Sequence, residues 1–264
     1  MNETIRLPKA LESWRDALLD ARAPCVRVTA QKQADALPWQ SKIGGMPYLP
    51  KGDEWPLSRE NGKPLFFLAQ LNFAEIPPLD PFPRQGILQF FIGDDDLYGM
   101  NFDNGEDPVN FRVSYYPNPI LDASALQNLP ELVEREYEYM PHHPDECYPL
   151  RFELTDMLLP ATDYRFSERF GADFFARFGD DEWDLLDEYA RIVNAQGHRI
   201  GGYAYFTQDD PRSPADPMLL LFQLDSDQGM DLMWGDMGVG HFFIREQDLK
   251  TLRFDRTLYD WDGL

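Results

Sequence analysis

The chain has 264 residues, with 46 Asp+Glu against 24 Lys+Arg and a formal net charge of −22. That length can bury a full core in one large domain or two modest ones. The charge argues against a nucleic-acid binder, which needs a basic face for phosphates, and against docking on anionic membrane, which needs clustered Lys and Arg.

Leu7, Leu11, Trp14 and Leu18 recur at helical spacing and predict an N-terminal helix over residues 1–22, with Pro8 in its tolerant first turn. Residues 25–29 alternate as a strand. Residues 65–73 and 86–92 are apolar runs bounded by Pro and Gly, and 109–116 alternates, so three further strands are expected. Ser124 and Gln127 have the spacing of a capping box and predict a helix to about residue 139. A short strand is expected over 151–154. Phe166, Phe170, Phe174 and Phe178 step by four and predict one helix. Leu186, Tyr189, Ala190 and Val193 predict another, opened by Asp181, Glu182 and Asp184 at the positive end of its dipole and closed by Gly197. Strands over 218–225, 232–234 and 241–244 and a short helix over 246–252 complete the tail. The 22 prolines concentrate in connections such as 76–83, where interleaved aromatics predict packed, irregular loops.

The acidic excess is uneven. Residues 1–66 carry 10 basic and 8 acidic side chains, whereas residues 67–264 carry 14 and 38. Two runs stand out: Asp94, Asp95, Asp96, Asp103, Glu106 and Asp107, then Asp180, Asp181, Glu182, Asp184, Asp187 and Glu188. Such runs are solvated faces or surfaces for a basic partner. The first residues lack the apolar segment of a secretory signal, and no apolar stretch reaches membrane-spanning length. Cys25 and Cys147 stand far apart and read as reduced thiols, so a cytoplasmic protein is expected.

Two segments resemble each other. Residues 42–48 (KIGGMPY) match 199–205 (RIGGYAY); a strand ending in Ala69-Gln70-Leu71-Asn72 matches one ending in Phe222-Gln223-Leu224-Asp225; and residues 87–90 match 232–234. Three matches in one order point to an internal duplication, with Gly-Gly supplying a backbone conformation denied to other residues. The fold class expected is α+β: a mixed, largely antiparallel sheet from a duplicated unit, about 38–116 and 195–262, with flanking helices. It forms a single domain over 1–264, with the N-terminal helix 1–22 and a helical insert of about 124–196.

The strings SKIGGMPYLP (41–50), GDEWP (52–56), PLFFLAQLN (64–72), GILQFF (86–91), WGDMGVG (234–240) and LYDWD (258–262) resemble the bacterial YwqG-like family. The resemblance runs from about residue 38 to the end. It implies a bacterial cytoplasmic protein with an α+β fold on a duplicated unit, and no known reaction. It carries over no catalytic residue.

No nucleophile elbow, phosphate loop or two-His metal spacing occurs, and no cofactor is indicated. His142 and His143 near Cys147 offer too few ligands for a metal. The best metal candidate is Asp225, Asp227 and Asp231, carboxylates at near-alternate positions around Gly229, with a hairpin turn as the simpler reading. The Gly-rich 235–240 segment is a tight hairpin or a place where a ligand approaches backbone. Two functions are weighed. One is a non-catalytic binding protein whose acidic face receives a basic protein, in the manner of a toxin-neutralising immunity protein. The other is an enzyme or small-ligand binder using a cleft between the duplicated halves, lined by Trp55, Trp234 and Asp236.

Overall fold

The computed structural model describes residues 5–31, 36–127 and 137–263, and its ten strands join one sheet. The first five are β1 (Ala23–Ala30), β2 (Lys42–Gly44), β3 (Phe66–Asn72), β4 (Ile87–Ile92) and β5 (Phe111–Tyr116). The second five are β6 (Cys147–Met157), β7 (His198–Gly201), β8 (Leu219–Asp225), β9 (Val239–Ile244) and β10 (Leu258–Asp262). The order across the sheet is β10-β9-β8-β7-β1-β6-β2-β3-β4-β5, and every pairing is antiparallel. The two edges nearly meet. Tyr259 of β10 donates its N–H to the Gly105 carbonyl at 2.9 Å, and its ring lies 5.3 Å from Phe111 of β5.

The protein is therefore mostly β, a nearly closed antiparallel barrel, and not the α+β sheet with flanking helices that the sequence suggested. Among the described residues the α-helices are four and short: α1 (Arg15–Asp20), α2 (Tyr164–Phe170), α3 (Glu182–Val193) and α4 (Glu246–Lys250). The phenylalanine stripe spans no single helix, because Gly171 takes φ 93° and ends α2 after Phe170; Phe174 packs back on Phe166 at 5.3 Å from the following turn. α3 buries Leu185 where Leu186 was expected, and Ala190 faces solvent. The region expected as a helical insert contains β6, an eleven-residue strand at the sheet's centre. The helix expected from Ser124 falls largely on 128–136, outside the described residues; Ala123–Ala125 is a 3-10 turn. Residues 232–234 are not a strand: Leu232 and Trp234 plug the core from a loop, and the strand that follows β8 is β9.

β3, β4 and β9 are buried at every position, as expected where both faces of a curled sheet are covered. Inside the barrel, Phe90 of β4 meets Phe222 of β8 at 5.1 Å and Phe242 of β9 at 4.5 Å. Outside it, α2, α3 and the N-terminal helix pack Leu18, Phe166, Phe170, Phe174 and Tyr189 over Met157, Leu158 and Leu159.

The polar connections of the two strand sets are built alike. Gln70 accepts from the Tyr48 N–H and donates to the Pro38 and Gln40 carbonyls; Gln223 accepts from the Tyr205 N–H and donates to the Ala195 and Gly197 carbonyls. Lys42 donates to the carbonyls of Leu37 and Pro38, Arg199 to those of Asn194 and Gln196. Gly44 and Gly45 have φ 65° and 66°, Gly201 and Gly202 φ 68° and 69°. A side chain on Gly45 would press on the Cys147 sulfur at 2.9 Å, and one on Gly202 on the Cys25 β-carbon at 2.7 Å. Each set's first strand is exchanged: β1 pairs with β7 of the other set and β6 with β2, and the two join in an eight-pair ladder, Ala23–Ala30 against 150–157.

Candidate functional site

The exchanged strands create a seam with two unlike faces. Val26, Val28 and Ile200 point into the barrel core. The other face carries Cys25, Arg27, Glu153, Thr155 and Arg199, since residues two apart on a strand share a face. Ile5 and the end of α3 wall this outer face, leaving a cavity of about 760 Å³ that Arg22, Arg191 and Asp156 also line.

Arg199 lies at its floor, only 7% exposed. Its NH2 group is held by two carbonyls, at 2.6 Å (Gln196) and 3.4 Å (Asn194), and NH1 meets the Met157 sulfur at 3.1 Å. Nε has no hydrogen-bond partner. Burial lowers the guanidinium's pKa, with nearby Arg27 adding to the effect, while Cys25 and Asp225 pull the other way. Arg27 is the direct cross-strand partner of Arg199, and like charges so placed repel. Arg27 has Glu153 at 3.3 Å, in an exposed pair that contributes little. Among the described residues Arg22, Arg191 and Arg199 have no carboxylate within 4.0 Å. Four arginines thus face two carboxylates around one cavity, in a chain of net charge −22. Burial raises the Cys25 thiol's pKa, which keeps it protonated and unreactive.

The residues singled out from sequence are not brought together here. Trp55 donates its indole N–H to the Leu65 carbonyl at 2.8 Å and borders a separate apolar pocket of about 170 Å³ with Phe66, Phe67 and Met46. Trp234 is fully buried and stacks on Trp261 at 6.3 Å, while Asp236 is exposed in the turn before β9. Asp225 is buried; its carboxylate accepts the Gly197 N–H at 2.6 Å, and burial raises its pKa. Asp227 accepts from the Gly229 N–H at 2.7 Å and lies 3.4 Å from His198, whose hydrogen bond lowers its pKa. Asp231 takes the left-handed conformation that ends this turn. Among the described residues no group of three or more His, Cys, Asp and Glu is arranged to hold a metal ion.

The two acidic runs differ. Asp94 accepts the N–H groups of Glu138 and Tyr139, Asp95 those of Leu97 and Gly99, and Glu106 grips Arg245. The run at the start of α3 makes no ion pair among the described residues, and in its midst Trp183 stands 71% exposed.

Such a sheet, with its seam cavity, defines a two-set antiparallel barrel with a cationic pocket on its outer face. The chain belongs to the family described as Domain of unknown function (DUF1963), whose model matches residues 41–263. No curated protein matches it. Among the described residues no helix is long and apolar enough to cross a membrane.

The arginines of the seam were missed in sequence. Arg199 sits in the very string that marks the second repeat, but as a residue before a glycine turn it carried no sign of its partner strand. Only the β1–β7 register places Arg27 beside it.

Proposed function

We propose that this protein is a non-catalytic binder of a small molecule, held in the seam cavity between its two strand sets. The YwqG-like resemblance and a bacterial cytoplasmic setting belong to the same reading. One observation carries it: a cavity of about 760 Å³, within the usual range of ligand pockets, whose floor combines the buried Arg199, Cys25 and Met157. This cavity, on the outside of β1, β6 and β7, is a different place from the cleft lined by Trp55, Trp234 and Asp236 that the sequence suggested. The test is access. Ile192 of α3 is half-buried on the cavity wall. In the variant Ile192→Cys, the neutral reagent methyl methanethiosulfonate should modify residue 192, as read by mass spectrometry of its peptide. No modification at residue 192 in the folded protein, with the same peptide modified after unfolding, would reject an open cavity.

A second reading, an immunity-like acidic face for a basic protein, is favoured by Trp183, a large apolar side chain left exposed among Asp180, Asp181, Glu182 and Asp184. A Lys-rich peptide should bind at low salt and be released at high salt, and Trp183→Ala should weaken it about tenfold. Binding that ignores both salt and Trp183 would remove this reading.

A further inference from the structure

We infer that the occupant of the seam cavity is a small organic anion, bearing a carboxylate or phosphate group, gathered by Arg22, Arg27, Arg191 and Arg199. This rests on the reading of the cavity as a ligand site and adds the charge of the ligand.

Three independent features lead to it. The first is the comparison with Lys42, which stands where Arg199 does in the other strand set and likewise donates to two carbonyls of the preceding loop, Leu37 matching Asn194 and Pro38 lying one position before the counterpart of Gln196. A lysine is therefore sufficient for the structural task. The guanidinium brings donors that the task does not use, and Nε is the one left without a partner. The second is the repulsive placement of Arg27 directly opposite Arg199. Two arginines on facing strand positions, one of them buried, put like charge on one face of the seam, only part of it answered by Glu153 beside Arg27, and an anion in the cavity relieves that repulsion. The third is the rest of the lining. Arg22 and Arg191 come from separate segments, the connection between α1 and β1 and the helix α3, and converge on one opening without carboxylate partners within 4.0 Å among the described residues. Carboxylate and phosphate share the geometry that the guanidinium fork recognises.

The experiment uses the full chain with Ile192→Cys and compares reagents of one reactive group and three charges. The anionic 2-sulfonatoethyl methanethiosulfonate should react at residue 192 at least about tenfold faster than the cationic 2-(trimethylammonio)ethyl reagent, after each rate is normalised to a free thiol. At Trp183→Cys, on the acidic start of the same helix, the order should reverse. Millimolar succinate or glycerol 3-phosphate should protect residue 192 from the neutral reagent; succinamide, of the same shape as succinate and uncharged, should not. Which of the two anions protects better separates a carboxylate from a phosphate ligand. Arg199→Lys, which copies the Lys42 arrangement and so preserves the fold, should cut protection at least about fivefold, and Arg191→Ala should cut it as well. A cationic reagent that outpaces the anionic one, or equal protection by succinamide, would overturn the inference while leaving an accessible cavity intact. Failure of the neutral reagent to reach residue 192 would instead overturn the reading beneath it.

Discussion

Set side by side, the two strand sets solve one structural problem with the same parts and then part company. Each has a Gly-Gly turn with both residues at positive φ, a buried glutamine bonding three backbone groups, and a buried cation on the carbonyls of the preceding loop. We propose that they descend from one duplicated unit. The divergence lies at the cation. Lys42 is 1% exposed, and burial depresses its pKa to about 8, whereas Arg199 remains charged and faces a cavity. Shared parts mark what the fold requires; the part that differs marks where one set acquired a surface that the fold does not need.

The largest expected effects fall on the glycines. Gly45→Ala and Gly202→Ala each force a side chain into positive φ and against a cysteine at 2.9 and 2.7 Å. Each should cost about 3–4 kcal/mol in urea unfolding, summing backbone strain and overpacking. Next come Gln70→Met and Gln223→Met. These keep side-chain volume and leave an N–H and two carbonyls without their partner, at about 2–3 kcal/mol each. If the halves are equivalent, the members of each pair agree within about 0.5 kcal/mol. A large loss in one set beside a negligible loss in the other would break the equivalence.

What the sequence made legible follows from how each strand is buried. β3, β4 and β8 are covered on both faces or nearly so, and their apolar runs announced them. β6 is buried only at Tyr148 and Met157, and its other positions are half-buried or exposed. Its outer positions hold Arg151, Glu153 and Thr155, so only residues 151–154 of the sheet's central strand were expected as strand, inside a region read as a helical insert. β9 opens with Val239-Gly240, which reads as a turn; Gly240 is there because the Trp234 ring lies 2.5 Å from where its β-carbon would be. The site was harder still. Trp234 drew attention as an aromatic beside glycines, and those glycines serve its burial in the core. In a chain with 46 acids the eye goes to negative charge, and nothing local reveals that Arg22, Arg27, Arg191 and Arg199 share a cavity. The convergence comes from the strand exchange, a long-range pairing that no spacing encodes.

The smallest of the expected effects sharpens the comparison most, because it separates the two cations by their chemistry. Lys42 has a folded pKa of about 8 against an ordinary value of 10.5, with desolvation as the cause and Cys147 and Glu75 opposing it. Below pH 8 both states carry the proton and the burial penalty is constant. As pH rises from 8 toward 10 the folded state has already released its proton while the unfolded chain still holds one, so Lys42 by itself raises stability by about 2 kcal/mol over that interval, and the buried Cys25 thiol, which stays protonated in the folded state while the unfolded one ionises, lowers it over the same interval. Tyr116, Tyr148 and Tyr189 are held protonated by burial and act in the opposite direction above pH 10, which fixes the upper end of the window. Lys42→Arg should abolish the rise, since a guanidinium does not titrate there. Arg199→Lys should add a second one, because the new amine is buried beside the loop carbonyls that hold the guanidinium. Urea midpoints at pH 8, 9 and 10 for the three proteins measure both. The comparison is the difference between profiles, since Cys25 contributes equally to all three: a Lys42→Arg profile parallel to the unaltered chain's, or an Arg199→Lys profile parallel to it, would show that the two cation sites are solvated differently.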